Sequence, residues 1–473
     1  QEARDEALTR AAAARVEEAR AKRDAGACPE KQPLNEAITK LRDAIHGSGP
    51  TVTRTRMLLV AALLAHDDAA ALQAWRWIYS DLPALVPAAI GERRTTGLAL
   101  ASARLFAEAD IVLRDPCVST PLESDAAVQD VMAYSAALRR TTVLAAEHHR
   151  SVAAGTSDDK AFERALGAEA ASLWRALSWP GPPPQFSPEA AQRELSKRFG
   201  AVITLGETEG IFNLLYGHRV ADESRVVEQY GHRGSLHFVQ LDGMVSGGYA
   251  AWATHGEIGT GGWIGADAVY QVRPMYVDGP LRLWRRVDDP EERTRAGEEI
   301  HRETERDRER PKGETVVSLP GLMMRLRQQY GDKLRQRLQA AGMQGDALRD
   351  AFLHEASADK LASSIWAHEG RHSIDKSLRI TNQVELEFRA KLSEVVFAPA
   401  PHASMGSILS PVGGRGTHAV ANERVLKGIV AWMRGHAAEI TGLDASAPTL
   451  TQLDRLTDDQ LRNAFRSLDP LAR

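Results

Sequence analysis

Along the first 200 residues apolar positions return every three to four residues, the spacing of helices that bury one face. The pattern predicts helices over Glu2–Arg23, Leu34–Ile45, Thr53–Leu64, Ala69–Tyr79, Ala88–Leu113, Ala126–His149 and Lys160–Leu177. Gly47-Ser48-Gly49-Pro50, Asp67-Asp68 and Leu82-Pro83 interrupt them. Successive helices of this length predict an α-solenoid or an irregular bundle, although no strict period names a repeat family. The run Trp179-Pro180-Gly181-Pro182-Pro183-Pro184 cannot continue a helix and sets a first domain boundary, giving an all-α domain over 1–180.

The texture then changes. Between Val202 and Arg286, Val226–Tyr230, Leu236–Leu241 and Val269–Val272 carry β-branched and aromatic residues between glycine-rich turns, which predicts a small antiparallel sheet. Gly247–Ile264 is glycine-dense and apolar, and reads as a hairpin or as a strand whose backbone lies close to a ligand. Asp288–Glu314 is a run of mixed charge, expected to be a solvated helix or a connector. Helices are expected again over Leu319–Ala340, Asp346–Ser377, Val384–Phe397, Val420–Arg434 and Leu453–Ser467. The fold class is therefore α+β, mainly α, with a second domain over 200–473.

Composition narrows the function. The 473 residues hold 59 Lys+Arg against 63 Asp+Glu, a formal charge of −4, which lacks the basic footprint of a nucleic-acid binder. The longest apolar stretch, Met57–Ala65, has nine residues, where a spanning helix needs about 20. Two cysteines, Cys28 and Cys117, both in turn-like contexts, are expected either to pair or to remain separate thiols. A bridge closing so long a loop would contribute roughly 4–5 kcal/mol in the chain-entropy model and imply an oxidising compartment. The chain begins with Gln1 rather than Met. A cleaved leader would fit that start, so the expected location is periplasmic or secreted.

One segment carries chemistry. Ser364–Asp375 contains His368-Glu369-Gly370-Arg371-His372 within a helical pattern, and Leu361 and Ile365 continue the face of the two histidines. Residues four apart share a helical face, so His368 and His372 can aim at one point on an inward stripe. Glu369, rotated by about 100°, stands near that point without lying on the ligand axis, where a base for water belongs. With 15 histidines in 473 residues this pattern is rare by chance. Gly370 in mid-helix costs about 1 kcal/mol against Ala and implies a packing or functional reason. Asp375 is either an imidazole partner or a surface carboxylate. Catalytic zinc takes three protein ligands and an open position. Glu387 is the leading third ligand, flanked by Leu386 and Phe388 on the next helix. Glu394, two turns along, is the alternative, with a role as imidazole partner or as salt-bridge partner of Lys391 also open.

His368-Glu-x-x-His372 followed by Glu387-Phe388-Arg389-Ala390-Lys391 resembles the gluzincin type of zinc metallopeptidase, two histidines from one helix and a glutamate from a following one. The resemblance covers about 364–396 and implies a zincin-like domain over 200–473: sheet 202–286, connector 288–314, catalytic helices 346–397, C-terminal helices 418–467. It implies Zn2+ on His368, His372 and Glu387, Glu369 as general base, and a peptide or protein substrate. Lys391 departs from the family, which often has an Asp there to hold a histidine, and the interval from His372 to Glu387 is short for the group. His418 and His402 are candidates to steady an oxyanion, though each also reads as an ordinary loop histidine. His148-His149 reads as solvated. The leading expectation is a zinc metallopeptidase whose helical domain offers a surface to a protein partner. The alternative is a partner-binding scaffold with a degenerate or structural zinc site, and hydrolysis of a non-peptide amide is a third. A glycine-rich edge around Gly247–Gly262 would align an extended peptide.

Overall fold

The computed structural model describes residues 2–78, 92–118, 125–208, 211–246, 257–258, 262–265, 267–309, 318–409 and 414–472. It is mainly helical α+β. Among the described residues nine helices come first: α1 (Glu2–Asp24), α2 (Lys31–Ser48), α3 (Val52–Ala65), α4 (Asp68–Ile78), α5 (Arg93–Ser102), α6 (Phe106–Leu113), α7 (Ala126–Ala153), α8 (Asp159–Ala176) and α9 (Pro188–Phe199). Seven strands follow among the described residues: β1 (Ala201–Thr208), β2 (Ile211–Gln229), β3 (His232–Leu241), β4 (Met244–Ser246), β5 (Glu257–Ile258), β6 (Gly262–Ile264) and β7 (Val269–Val272). Among the described residues helices then return: α10 (Pro274–Asp288), α11 (Pro290–Glu309), α12 (Pro320–Ala340), α13 (Gly345–Leu361), α14 (Gly370–Ser377), α15 (Gln383–Val396), α16 (Pro401–Ser404), α17 (Thr417–Gly435) and α18 (Asp458–Leu468).

The strands form one sheet in the order β5-β4-β2-β3-β7-β6, with β1 also paired to β2. β1 and β2 run antiparallel from Ala201↔His218 to Thr208↔Ile211. Beyond that ladder β2 continues into a hairpin with β3. Tyr230 and Gly231 both have positive φ there (52° and 77°), the twist-matched geometry of a two-residue hairpin turn.

Two compact units divide the chain. The first comprises 1–222, 239–265 and 270–278, and the second 223–238, 266–269 and 279–473. The proline run at 180–184 lies within the first unit, where Trp174 Nε1 donates to Pro184 O and the Trp179 ring packs at 4.6 Å from Trp174. The hairpin end of β2 and β3 belongs to the second unit. That unit has its own core: Leu322 and Leu326 of α12, Phe388, Leu392, Val395 and Val396 of α15, Val425 and Ile429 of α17, and Leu461 and Phe465 of α18.

Some expectations hold and others need correction. Ala88–Leu113 is not one helix: α5 ends at Ser102, and Arg104 takes a left-handed turn (φ 69°) before α6, while 79–91 lie outside the described residues. The sheet ends at Val272 rather than near Arg286, because Pro274 opens α10. The mixed-charge run is helical over Pro290–Glu309, stitched by ion pairs such as Arg295–Glu292 and Arg308–Glu305. His148 is buried, not solvated: its ring stacks on Phe162 at 4.2 Å and its Nε2 faces Phe212 O at 3.1 Å. Of the glycine-dense stretch, 247–256 and 259–261 lie outside the described residues. Among the described residues no helix is long and apolar enough to cross a membrane. Cys28 and Cys117 are joined in a disulfide.

Candidate metal centre

The motif lies where helix geometry changes. Between α13 and α14 the residues Ala362–Glu369 form a π-helix, in which Gly370 N–H reaches back five residues to Ile365 O. Such widened turns recur at functional sites because they re-aim side chains without ending the helix. Here the π-segment delivers His368 and Glu369, and α14 delivers His372.

The β2–β3 hairpin of the same unit holds this junction. Gln229, buried at the end of β2, donates to Ala367 O at 2.9 Å and accepts from Ser393 Oγ of α15 at 2.8 Å. Ser373 Oγ donates to Ser235 O, and the Arg225 guanidinium lies 4.2 Å over the Trp366 ring. Gly370 is explained by the same contact, since a Cβ there would meet Val227 Cγ1 at 2.8 Å. At Gly234 it would meet Ser373 Oγ at 2.8 Å and Ile374 N at 2.9 Å.

α15 supplies the facing side. Asn382 caps it, accepting from Glu385 N at 2.9 Å. Its apolar stripe enters the core, while Glu387, Lys391 and Glu394, three to four residues apart, line the stripe toward the motif. Glu387 Oε1 lies 3.4 Å from His372 Nε2, and Glu387 Oε2 lies 3.6 Å from His368 Nε2. The three residues offer ligand atoms that all lie within 4.8 Å of one another. Ligand atoms held at about 2.0–2.1 Å in a tetrahedron lie roughly 3.3–3.4 Å apart, so the spacing suits one zinc-sized cation. Glu387 Oε2 is buried and faces imidazole nitrogens, His418 Nδ1 at 2.8 Å and His368 Nε2 at 3.6 Å, because a buried carboxylate is costly unless positive charge answers it. The residues present therefore fit the metal that the motif implies.

Glu394 is not grouped with these ligand atoms. Its Oε2 faces His368 Nδ1 at 3.2 Å and accepts from Lys391 Nζ at 2.9 Å, while its Oε1 accepts from Ser407 Oγ at 2.6 Å. A carboxylate on Nδ1 fixes the imidazole so that Nε2 points at the metal position. Glu394 thus stands where the resemblance leaves a gap at Lys391, and the lysine neutralises it.

Asp375 does not reach an imidazole. It accepts from Arg371 Nε at 3.1 Å and from Arg389 at 3.3 Å, and Arg371, fully buried, is also clamped by both oxygens of Asp469. The motif's arginine ties the helix to the end of α18. His418, on the first turn of α17, brings Nδ1 to 2.8 Å from Glu387 Oε2 with a largely exposed ring. His402 pairs with Asp458 instead, at 2.6 Å. Glu369 Oε1 lies 4.0 Å from His368 Nε2, beside the cluster and only partly exposed.

Electrostatics agree with this layout. Burial alone would raise the Glu387 carboxyl, but the His372 contact and the charges of His368, His372 and His418 hold it at about 2. Burial likewise opposes ionisation of Glu394, and Lys391, His368 and Ser407 bring it to about 2. Burial lowers His372, yet the Glu387 contact and the charges of Glu369, Glu387 and Asp375 outweigh it and raise its pKa. Glu387 and His372 thus each favour charge on the other.

The roles of Gln229, Ser407 and the Arg371–Asp469 pair were not visible in the sequence. Only Arg371 carried a signal, as a charged residue inside an otherwise inward-facing helix. Comparison with family models, curated proteins and solved structures finds no match.

Proposed function

We propose that this protein is a zinc-dependent hydrolase of amide bonds, a metallopeptidase of zincin-like build acting on peptides or proteins. The observation that carries the reading is the convergence of His368 Nε2, His372 Nε2 and Glu387 with Glu369 beside them. Among the described residues the grouped ligand atoms come from three side chains, the number that a catalytic zinc site takes from the protein. Zinc bound there supplies Lewis acidity toward a carbonyl and makes water more acidic.

The chain's own groups do the rest. Glu369 accepts a proton from the attacking water and passes it to the leaving amine. Glu394 holds His368 by Nδ1, and Lys391 keeps that carboxylate ionised by balancing its charge. His418 is the side chain nearest to Glu387 from the exposed side and offers a donor to an oxyanion. The disulfide supports a periplasmic or secreted location. A structural zinc in a partner-binding scaffold would call for a fourth protein ligand, and among the described residues His418, beside Glu387, is the side chain to test for that role.

The test uses zinc-loaded protein on a mixed peptide library read by mass spectrometry. Cleavage is expected, abolished by a chelator and reduced about 10²–10⁴-fold in Glu369→Gln with zinc content unchanged. Cleavage that survives Glu369→Gln at full rate contradicts the reading.

A further inference from the structure

A second set of metal-ligating side chains surrounds the disulfide. Cys117 N–H donates to Asp115 Oδ1 at 2.9 Å, and Asp115 Oδ2 faces His66 Nε2 at 3.3 Å. His66 closes the C-terminus of α3 at the surface, and Cys28 is exposed after α1. The donor atoms of His66, Asp115 and Cys117 all lie within 4.8 Å of one another, and the Cys28 sulfur is bonded to that of Cys117. The imidazole, the carboxylate and the Cys117 sulfur therefore cluster at an accessible place, with the Cys28 sulfur bonded to one corner of that cluster. While the sulfurs are bonded to each other neither is a thiolate, so the set holds no zinc. The His66–Asp115 separation already matches the edge of a zinc tetrahedron, roughly 3.3–3.4 Å for nitrogen and oxygen ligands.

We propose that the reduced protein binds one zinc ion through Cys28, His66, Asp115 and Cys117, so that a metal staple replaces the covalent one. The chemistry balances in two steps. A dithiol reductant gives two electrons and two protons to the disulfide and closes into its own disulfide, leaving Cys28 and Cys117 as thiols. Zn2+ then displaces the two thiol protons. Zinc–sulfur bonds of about 2.3 Å need the sulfurs roughly 3.7 Å apart, a separation that unbonded sulfurs adopt in any case. A thiolate-imidazole set is one zinc takes readily, and four protein ligands make it a closed, structural site. The turn after α1 would stay tied to the segment after α6 in either redox state.

Cobalt is the probe. The oxidised chain and the chain reduced anaerobically with a phosphine are each titrated with Co2+ alone. The reduced chain should take up one more equivalent than the oxidised chain and develop a thiolate-to-cobalt charge-transfer band. With two cysteines in the chain, that band reports this site and not His368 and His372. His66→Ala and Asp115→Asn should each lose the band at cobalt levels that saturate the parent chain. Asparagine keeps the oxygen that accepts from Cys117 N–H, and far-ultraviolet circular dichroism checks both folds. Absence of the band, an undiminished band in both variants, or loss of helical signal on reduction would each overturn the proposal.

Discussion

Two buried histidines in this molecule begin alike and end differently. His218 of β2 has Asp242 at 3.2 Å on its Nδ1, and His368 has Glu394 at the same distance on its own. In the first unit the other nitrogen of His218 meets Tyr134 Oη at 2.8 Å, and Phe106, Tyr134 and Tyr216 surround the ring. Every valence there is answered inside the protein. In the second unit the other nitrogen of His368 meets a carboxylate oxygen at 3.6 Å, with a second imidazole converging on the same glutamate. A carboxylate-held imidazole is thus not by itself a site. What distinguishes the motif is that two imidazoles and a carboxylate converge on one place, where a single cation can engage all three.

The largest difference should appear on deleting each ring. His218→Ala removes a packed ring, takes the buried Tyr134 hydroxyl's imidazole partner away and leaves Asp242 with the backbone N–H of residue 218 but without the imidazole. It is expected to lose about 3–5 kcal/mol of stability by urea unfolding, with zinc binding unchanged. His368→Ala should abolish zinc binding in calorimetry. A metal-binding His368→Ala chain would erase the distinction.

Glu394→Gln probes the shared carboxylate. Zinc affinity is expected to fall about 10–100-fold while the three ligands remain, because Nδ1 loses its charged partner. An unchanged affinity would mean that Glu394 serves only Lys391. Next comes the packing that aims the motif. Gly370→Ala should cost about 1–3 kcal/mol through contact with Val227, and Val227→Ala in the same chain should recover most of it.

The smallest effect is in pH. Metal binding requires neutral imidazole, and the His372 pKa is raised by its carboxylate neighbours. Protons therefore compete earlier than for an ordinary histidine, and zinc affinity should begin to fall above pH ~6.5 on acidification. Asp242 behaves in the opposite sense. Burial raises its carboxyl, but His218 and Arg56 more than offset that and hold it below the usual value. Its stabilisation is present above the ordinary carboxylate range, near pH ~3.9, and is lost as pH falls further toward the lowered pKa.

The helical first half was legible because an amphipathic repeat writes its own period, and the motif helix because two histidines four apart need little context. The β2–β3 strands were also readable from Val226–Tyr230 and Leu236–Leu241. Other features depend on distant partners. Glu394 gained its place from a helix face shared with Glu387 and Lys391, and the choice between ligand and imidazole partner needed the second helix in position. Gln229 looked like any polar residue ending a strand, yet it bridges Ala367 and Ser393. Asp375 was expected either beside an imidazole or on the surface, but it is buried and taken by Arg371 and Arg389, since a buried guanidinium binds carboxylates more strongly than a neutral ring does. The π-segment left no trace in the hydrophobic pattern.

The central claim is that His368, His372 and Glu387 hold zinc. Its most direct test is the metal content of the oxidised, untagged chain by plasma mass spectrometry after dialysis against zinc at neutral pH. The account predicts about one zinc per chain, lost in His372→Ala with the fold intact. A chain that retains no zinc, or a His372→Ala chain that keeps it, would contradict the account.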